Sequence, residues 1–417
     1  MFPKVKTPKN NIYLDYAAAT PLDSQVKKTM EPFLLSKFGN PSALYKEGRE
    51  AKAAVDEARK VAANFIGAAP SEIIFTAGGT ESVNLAIFGV ARNYADTKHS
   101  RGSTRGKLPH VIASAIEHHC VINSFKALAG EGYNASLVGV NAEGFINIEE
   151  LKKAIRPETV LVSLMLANNE IGTIEPVEEI GRWLKGLNRQ RQAKGLSKVL
   201  FHTDACQAAG FLDLNVNRLG VDLMSVNGSK IYGPKQTGFL YVRSGILLKP
   251  LIYGGGQENG LRSGTENVPG VVGLAKAFEL VQKQRLAEVK RLKGLSGYLT
   301  RKLTEKVSVV LLNGPDNSKY KDLKRLPNNI NLTIKGVEGE ALMLYLDAYK
   351  ISASTASACS TGSLDPSHVL LAIGKSKQEA QSSIRFSLGK FTTKKDLDYL
   401  IKIFPGLVNE LRKLSKN

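Results

Sequence analysis

Cysteine is scarce in this chain. The 417 residues hold three, Cys120, Cys206 and Cys359. Their number is odd, their spacing is wide and no C-x-x-C occurs, which argues against a disulfide framework and for a reducing, cytoplasmic setting. Zinc-ligand spacing is also missing, so no resident metal is expected. Long apolar runs are lacking. Stretches such as 246–248 and 309–312 fall far short of the roughly 20 residues that cross a bilayer, so no membrane partner is expected. The N-terminal M-F-P-K-V-K-T-P-K-N-N has neither the apolar core of a signal peptide nor the length of a transit helix. Acidic residues are in deficit: 38 Asp and Glu face 57 Lys and Arg, a net charge of +19. That balance suits acidic partners or a basic proteome. The basic residues are spread out, however, and no aromatic-and-basic signature accompanies them. Stable nucleic-acid binding is not expected.

What is present is an ordinary globular composition on a length that calls for two domains. Its centre is residues 199–235. Two apolar segments, 199–203 and 222–226, read as buried strands that end in polar loops. The first loop offers Asp204 and Gln207; the second offers Asn227, Ser229 and Lys230. A carboxylate at one strand end and a lysine past the next suit pyridoxal phosphate. The amine condenses with the aldehyde, and the carboxylate keeps the ring nitrogen protonated so that the ring accepts electrons. Gln207 is placed to donate to the phenolic oxygen. The plainer alternative is a solvated lysine and a turn aspartate.

Around this centre the chain alternates strand and helix from about 73 to 243, the pattern of a parallel α/β sheet. Helices are expected at 23–35 and 50–66, with a turn at F-G-N-P-S (38–42) that holds Asn40 extended before Pro41. In F-T-A-G-G-T-E-S, Gly79 and Thr80 open a helix. That start is either a phosphate cup or a plain threonine-capped turn. The strand 110–115 leads to E-H-H at 117–119. There His118 is either a ring-stacking residue or a histidine satisfied by backbone. Segments 97–107 and 188–198 are basic insertions, the first expected to be solvated. Strands are expected at 161–167, 238–242, 247–252, 307–312, 329–333 and 383–387. A long helix at 268–305 joins the domains, and further helices are expected at 338–348 and 394–414. Small residues dominate 351–366 around Cys359, which reads as a flexible tether with a candidate nucleophile.

These segments in this order resemble the cysteine desulfurases, pyridoxal phosphate enzymes of the class V aminotransferase group. The resemblance is carried by Y-L-D-Y-A-A-A-T-P at 13–21, F-G-N-P-S at 38–42, F-T-A-G-G-T-E-S-V-N at 75–84 and E-H-H at 117–119. It continues with N-N-E-I-G at 168–172, D-A-C-Q at 204–207, G-S-K-I-Y-G-P-K at 228–235, R-S-G-T at 262–265, S-A-C-S at 357–360 and S-I-R-F-S-L-G at 383–389. It implies an aspartate aminotransferase-like α/β fold (fold type I). The large domain, 17–267, would carry a mostly parallel sheet. Residues 1–16 and 268–417 would form a smaller α+β domain.

The resemblance also implies roles. Lys230 would hold pyridoxal 5'-phosphate, Asp204 its ring nitrogen and Gln207 its phenolic oxygen. His118 would stack on the ring and move protons. Gly79, Thr80, Asn227 and Ser229 would face the phosphate, with Thr265 arriving from the other subunit of a homodimer. Asn169, which would also contact the cofactor, and Arg385 would bind L-cysteine, helped by Asn40. Cys359 would take the sulfur as a persulfide while L-alanine leaves, and would serve as a transient iron–sulfur ligand. An acceptor such as an iron–sulfur scaffold, or a tRNA-thiolation partner, would then receive the sulfur. Three positions depart from the family pattern: Asn227-Gly-Ser229 before the lysine, Gly78-Gly79 for the more usual Gly-Ala, and Cys206 between the ring-binding residues. The enzyme alternatives are a selenocysteine lyase or another class V transaminase. The non-enzyme alternative is a basic scaffold or nucleic-acid-binding protein.

Overall fold

The computed structural model describes residues 8–96, 108–355 and 365–415. In chain order the strands are β1 (Ile12–Tyr13), β2 (Ile73–Thr76), β3 (His110–Ser114), β4 (Asn134–Val138), β5 (Thr159–Met165) and β6 (Leu200–Asp204). They continue as β7 (Leu223–Asn227), β8 (Gly238–Val242), β9 (Val310–Leu312), β10 (Asn329–Ile334), β11 (Ile351–Ser352) and β12 (Ser383–Ser387). Seven of them form one sheet in the order β2-β8-β7-β6-β5-β3-β4. Only β8 runs against the rest, antiparallel to both β2 and β7. This is the mostly parallel α/β sheet expected from the alternating pattern.

Every residue of β5 is buried, because helices cover both faces. Alternate residues therefore enter different cores. Val162, Phe201, Met224 and Phe239 face a core closed by the helices Lys46–Ile66, Val177–Ala193 and the first half of Val268–Lys306. Leu161, Leu200, Leu223 and Leu240 face a second core with the helices Gly79–Asp96 and His119–Gly130.

A third core belongs to the C-terminal part. The antiparallel sheet β12-β10-β9 packs there with the helices Gly339–Ala348 and Lys394–Leu414. The helix Val268–Lys306 enters with Pro269 in its first turn and Asn267 capping Gly270 N–H at 3.1 Å. At 39 residues it is about 58 Å long. It carries Val271, Leu274 and Phe278 into the large-sheet core and Leu292, Leu299 and Leu303 into the C-terminal core. The N-terminal segment joins the latter: β1 pairs in parallel with β11, and Asp15 bridges to Ser387 of β12.

Two expected strands differ from their expected form: one is missing and one is shorter. Residues 247–252 form none, because Lys249 N–H is taken by the Gly89 carbonyl at 3.0 Å and Pro250 has no N–H to give. The strand expected from 307 starts only at Val310, since Val309 turns left-handed at φ 56°. The basic stretch at 188–198 begins inside the helix Val177–Ala193. Its Arg191 is buried and donates to the carbonyls of Arg156, Pro157, Thr159 and Ser197. The other basic insertion, 97–107, lies outside the described residues. Among the described residues no helix is long and apolar enough to cross a membrane.

Candidate active site

The parallel strands end on one edge of the sheet, where their polar termini converge. A cavity with about 250 Å³ of room opens there. It is lined by Gly79 and Thr80 after β2, His118 after β3, Asn169 after β5, Asp204 at the end of β6 with Gln207 beyond it, and Asn227 at the end of β7 with Lys230 beyond it. Arg385 of β12 closes it from the C-terminal part, and Ala17 and Ala18 from the N-terminal segment.

Lys230 ends the short 3-10 turn Gly228–Lys230. Its Nζ donates to the carbonyls of Ala17 at 3.0 Å and Ala18 at 2.6 Å. Gln207 Nε2 donates to the same Ala17 carbonyl at 2.9 Å. Asp204, the last residue of β6, is buried and accepts the Cys206 N–H at 2.9 Å. His118 caps the helix His119–Gly130, its Nδ1 accepting the Cys120 N–H at 3.2 Å. In a neutral imidazole that bond leaves the proton on Nε2. Burial pushes the His118 pKa below its ordinary value, while Asp204 pulls it up and Lys230 pushes it further down. At neutral pH the ring is therefore largely neutral, with an Nε2–H that can donate a proton and regain it.

Asn227 Oδ1 accepts from Ser229 N–H at 3.1 Å and Ser229 Oγ at 3.0 Å. Ser229 thus acts behind Asn227 and is not among the cavity-lining residues. The turn before Gly79 needs glycine at position 78, whose φ is 129°.

Arg385 is 3% exposed. Its Nη2 pairs with Asp15 Oδ1 at 2.7 Å, its Nη1 donates to the Asn169 carbonyl at 3.0 Å, and its Nε is buried with no acceptor among the described residues. The guanidinium is thus held in one plane with donor capacity to spare, as carboxylate recognition needs. Arg385→Lys should raise the apparent KM for an amino-acid substrate by about 10- to 100-fold, the loss of one or two charge-assisted bonds. Cofactor content should stay unchanged. Steady-state kinetics with absorbance of the bound cofactor checks both; an unaltered KM removes Arg385 from substrate binding.

Asp15, which holds Arg385, was given no role from the sequence. The alanine carbonyls at 17 and 18 have no sequence signal at all. Glu117 and Glu170 are further surprises. Both are buried, and burial raises their carboxyls, Glu170 to about 7. Glu117 Oε1 accepts Met165 N–H at 2.7 Å. Glu170 is bonded by Ser367 Oγ, at the cap of the helix His368–Ala372. His368 donates from Nε2 to the Glu117 carbonyl at 2.8 Å. These contacts dock the C-terminal part on the strand ends.

Two candidates stand apart. Asn40 is exposed, and its Oδ1 accepts the Ser42 N–H at 2.9 Å. It does not line the cavity. Thr265 is exposed and lines a different cavity of about 210 Å³ with Thr76, Ala77, Arg262 and Asn267. Its loop is fixed by Glu258, which accepts both Nη groups of Arg59, at 2.8 and 2.7 Å, and the Phe75 N–H at 2.8 Å. Cys359 lies outside the described residues. Burial pushes the thiols of Cys120 and Cys206 well above their ordinary range.

Comparison with known proteins bears on this arrangement. The sequence profile of the Aminotransferase class-V family matches residues 12–400. The chain belongs to the class-V aminotransferase family. Within it, the chain is 46% identical over 407 residues to "Cysteine desulfurase IscS" of Dictyoglomus turgidum, covering 98% of this chain and 97% of that protein. Two solved structures are similar. "NIFS-LIKE PROTEIN" has a TM-score of 0.83 at 33% identity, covering 97% of this chain and 99% of that one. "SspA in complex with cysteine" has a TM-score of 0.76 at 35% identity, covering 92% and 100%. Membership of the class-V family implies pyridoxal phosphate, and the residues present fit it. A lysine amine, a buried carboxylate, an imidazole and a helix start surround one cavity. A Cβ on Gly79 would lie 2.6 Å from Cys206 Sγ, so the space beside that helix start is already taken by the cavity wall.

Proposed function

We propose that this protein is a cysteine desulfurase that converts L-cysteine to L-alanine and passes the sulfur to Cys359 as a persulfide. The observation that carries the reading is one cavity holding Lys230, Asp204, His118 and Arg385 in a class-V chain. Pyridoxal phosphate, when bound, supplies the electron sink for the substrate carbon. Lys230 would hold it. Asp204 would meet its ring nitrogen, Gln207 its phenolic oxygen, and Gly79, Thr80 and Asn227 its phosphate, with Ser229 steadying Asn227. Arg385 and Asn169 orient the substrate by its carboxylate. Lys230 Nζ removes and returns the α-proton, and His118 Nε2 handles the proton at the ring face.

The sulfur step needs a thiolate that can attack the substrate sulfur, the electron pair of the broken C–S bond leaving with the substrate carbon. Cys120 and Cys206 are held protonated, which leaves Cys359 as the acceptor. The products balance: the C–S bond breaks, an S–S bond forms on Cys359, and the substrate carbon takes a proton to give alanine. Production of alanine and protein-bound sulfur from L-cysteine tests the proposal. Alanine without persulfide, or selenocysteine turnover with cysteine inert, would favour a lyase instead.

We infer a homodimer in the cytoplasm, with Thr265 completing the partner's phosphate site. Exposed Leu34, Leu35, Phe38, Leu44 and Tyr45 cluster in the chain around Asn40, an apolar surface suited to a second copy. Analytical ultracentrifugation should give a dimer. A monomer that still binds cofactor and turns over cysteine would refute the inference. We also propose that the chain divides into a large domain of residues 17–267 and a smaller one of 1–16 and 268–417. The sulfur is destined for an iron–sulfur scaffold or tRNA thiolation in this reading, and transfer assays with each acceptor would separate these fates.

A further inference from the structure

We propose that Cys206 is a positioning residue of the cofactor cradle, its sulfur filling the space that a side chain at position 79 would otherwise take. The inference rests on the cavity being the pyridoxal phosphate site. Gly79 opens the helix Gly79–Asp96. Its φ is not positive, so its conformation does not demand glycine. Space does. A Cβ there would lie 2.6 Å from Cys206 Sγ, 3.3 Å from Asn227 Cβ and 3.4 Å from Asn227 Nδ2. The first of these is far inside contact distance.

Gly79 follows β2 and Cys206 follows β6, strands with β8 and β7 between them in the sheet. One sulfur therefore connects the phosphate side of the cavity to the ring side. The sulfur has little freedom. Cys206 is buried, its N–H is fixed on Asp204 Oδ1 at 2.9 Å, and Sγ points to the Ser225 carbonyl at 3.9 Å. Asn227, the third member, holds the turn before Lys230 through Ser229. A methyl group at 79 must turn the sulfur out of its seat. The displaced sulfur then crowds Asp204 and the cavity.

The test is a double-mutant cycle read by cofactor affinity and by thermal unfolding of the cofactor-free proteins. Cofactor-free wild type, Gly79→Ala, Cys206→Ala and the double variant are titrated with pyridoxal phosphate. Gly79→Ala should weaken binding by about tenfold or more, and Cys206→Ala by about threefold. The double variant should return to within about threefold of wild type, a coupling of the size contacting residues show. The same rescue should appear in the Tm of the cofactor-free proteins. If Gly79→Ala folds only in company with Cys206→Ala, the seat is supported. Additive losses in both readouts, or a harmless Gly79→Ala, overturn it. Wild type that binds no pyridoxal phosphate would instead sink the assignment of the cavity, while the Tm cycle would still decide the contact.

Discussion

Lys230→Ala should abolish covalent attachment of pyridoxal phosphate and cut turnover by at least about 10³-fold. Two functions are lost together. The amine that anchors the cofactor is gone, and so is the base that moves the α-proton, which alone is worth roughly 10²- to 10⁴-fold. The geometry singles this lysine out: its Nζ lies against the Ala17 and Ala18 carbonyls inside the cavity. Lys235, five residues on, is exposed and does not line it. The measurement is borohydride reduction followed by peptide mass spectrometry. Wild type should carry the cofactor mass on the peptide with Lys230, and the variant should carry none. A variant in which Lys235→Ala loses the adduct and Lys230→Ala keeps it would reverse the assignment.

Cys359→Ser should keep its cofactor, its colour and its binding of L-cysteine, yet release alanine at least roughly 100-fold more slowly, as loss of a nucleophile requires. A hydroxyl cannot replace the thiolate that accepts sulfur. Neither can the other two cysteines. Burial raises the Cys120 thiol, with Asp204 and Glu117 adding to the effect. Burial likewise raises the Cys206 thiol, with Asp204 again adding to it. Both stay protonated where a sulfur acceptor must ionise. Mass spectrometry after incubation with L-cysteine should find a sulfur adduct on Cys359 in wild type and on no cysteine in Cys359→Ser. A sulfur adduct on Cys206, with normal turnover in Cys359→Ser, would defeat the mechanism.

The parts of the fold that were legible in the sequence are those where one local rule dominates. The ends of Ser383–Ser387 and Lys394–Leu414 fall where the pattern put them, since a strand of alternating polar and apolar residues and a capped amphipathic helix each announce their limits. The helix Val177–Ala193 was missed because its arginines masked its stripe; Arg191 turns inward to backbone carbonyls that no pattern reveals. Strand β4 was missed because, on an edge, only Val138 is buried. At the site, side chains carrying chemistry could be named from the sequence. Their supports could not. Asp15 matters through Arg385, 370 residues away, and Gly79 through Cys206. Such pairs are made by topology, and only the folded chain displays them.

The N-terminal segment ties this together. Asp15 grips the arginine, while the carbonyls at 17 and 18 receive the lysine. The arginine belongs to the C-terminal part and the lysine to the large sheet. The group proposed to hold a carboxylate and the group proposed to move the α-proton are therefore tied to one tight turn, closed by the Ala18 N–H on the Asp15 carbonyl at 3.0 Å, whose span is shorter than the roughly 10 Å of three extended residues. The span is a gauge for an amino acid, and it is written in peptide units. Side-chain changes at 17 and 18 leave those carbonyls in place, so the size of the substrate's invariant end is measured by the one component of the protein that mutation does not rewrite.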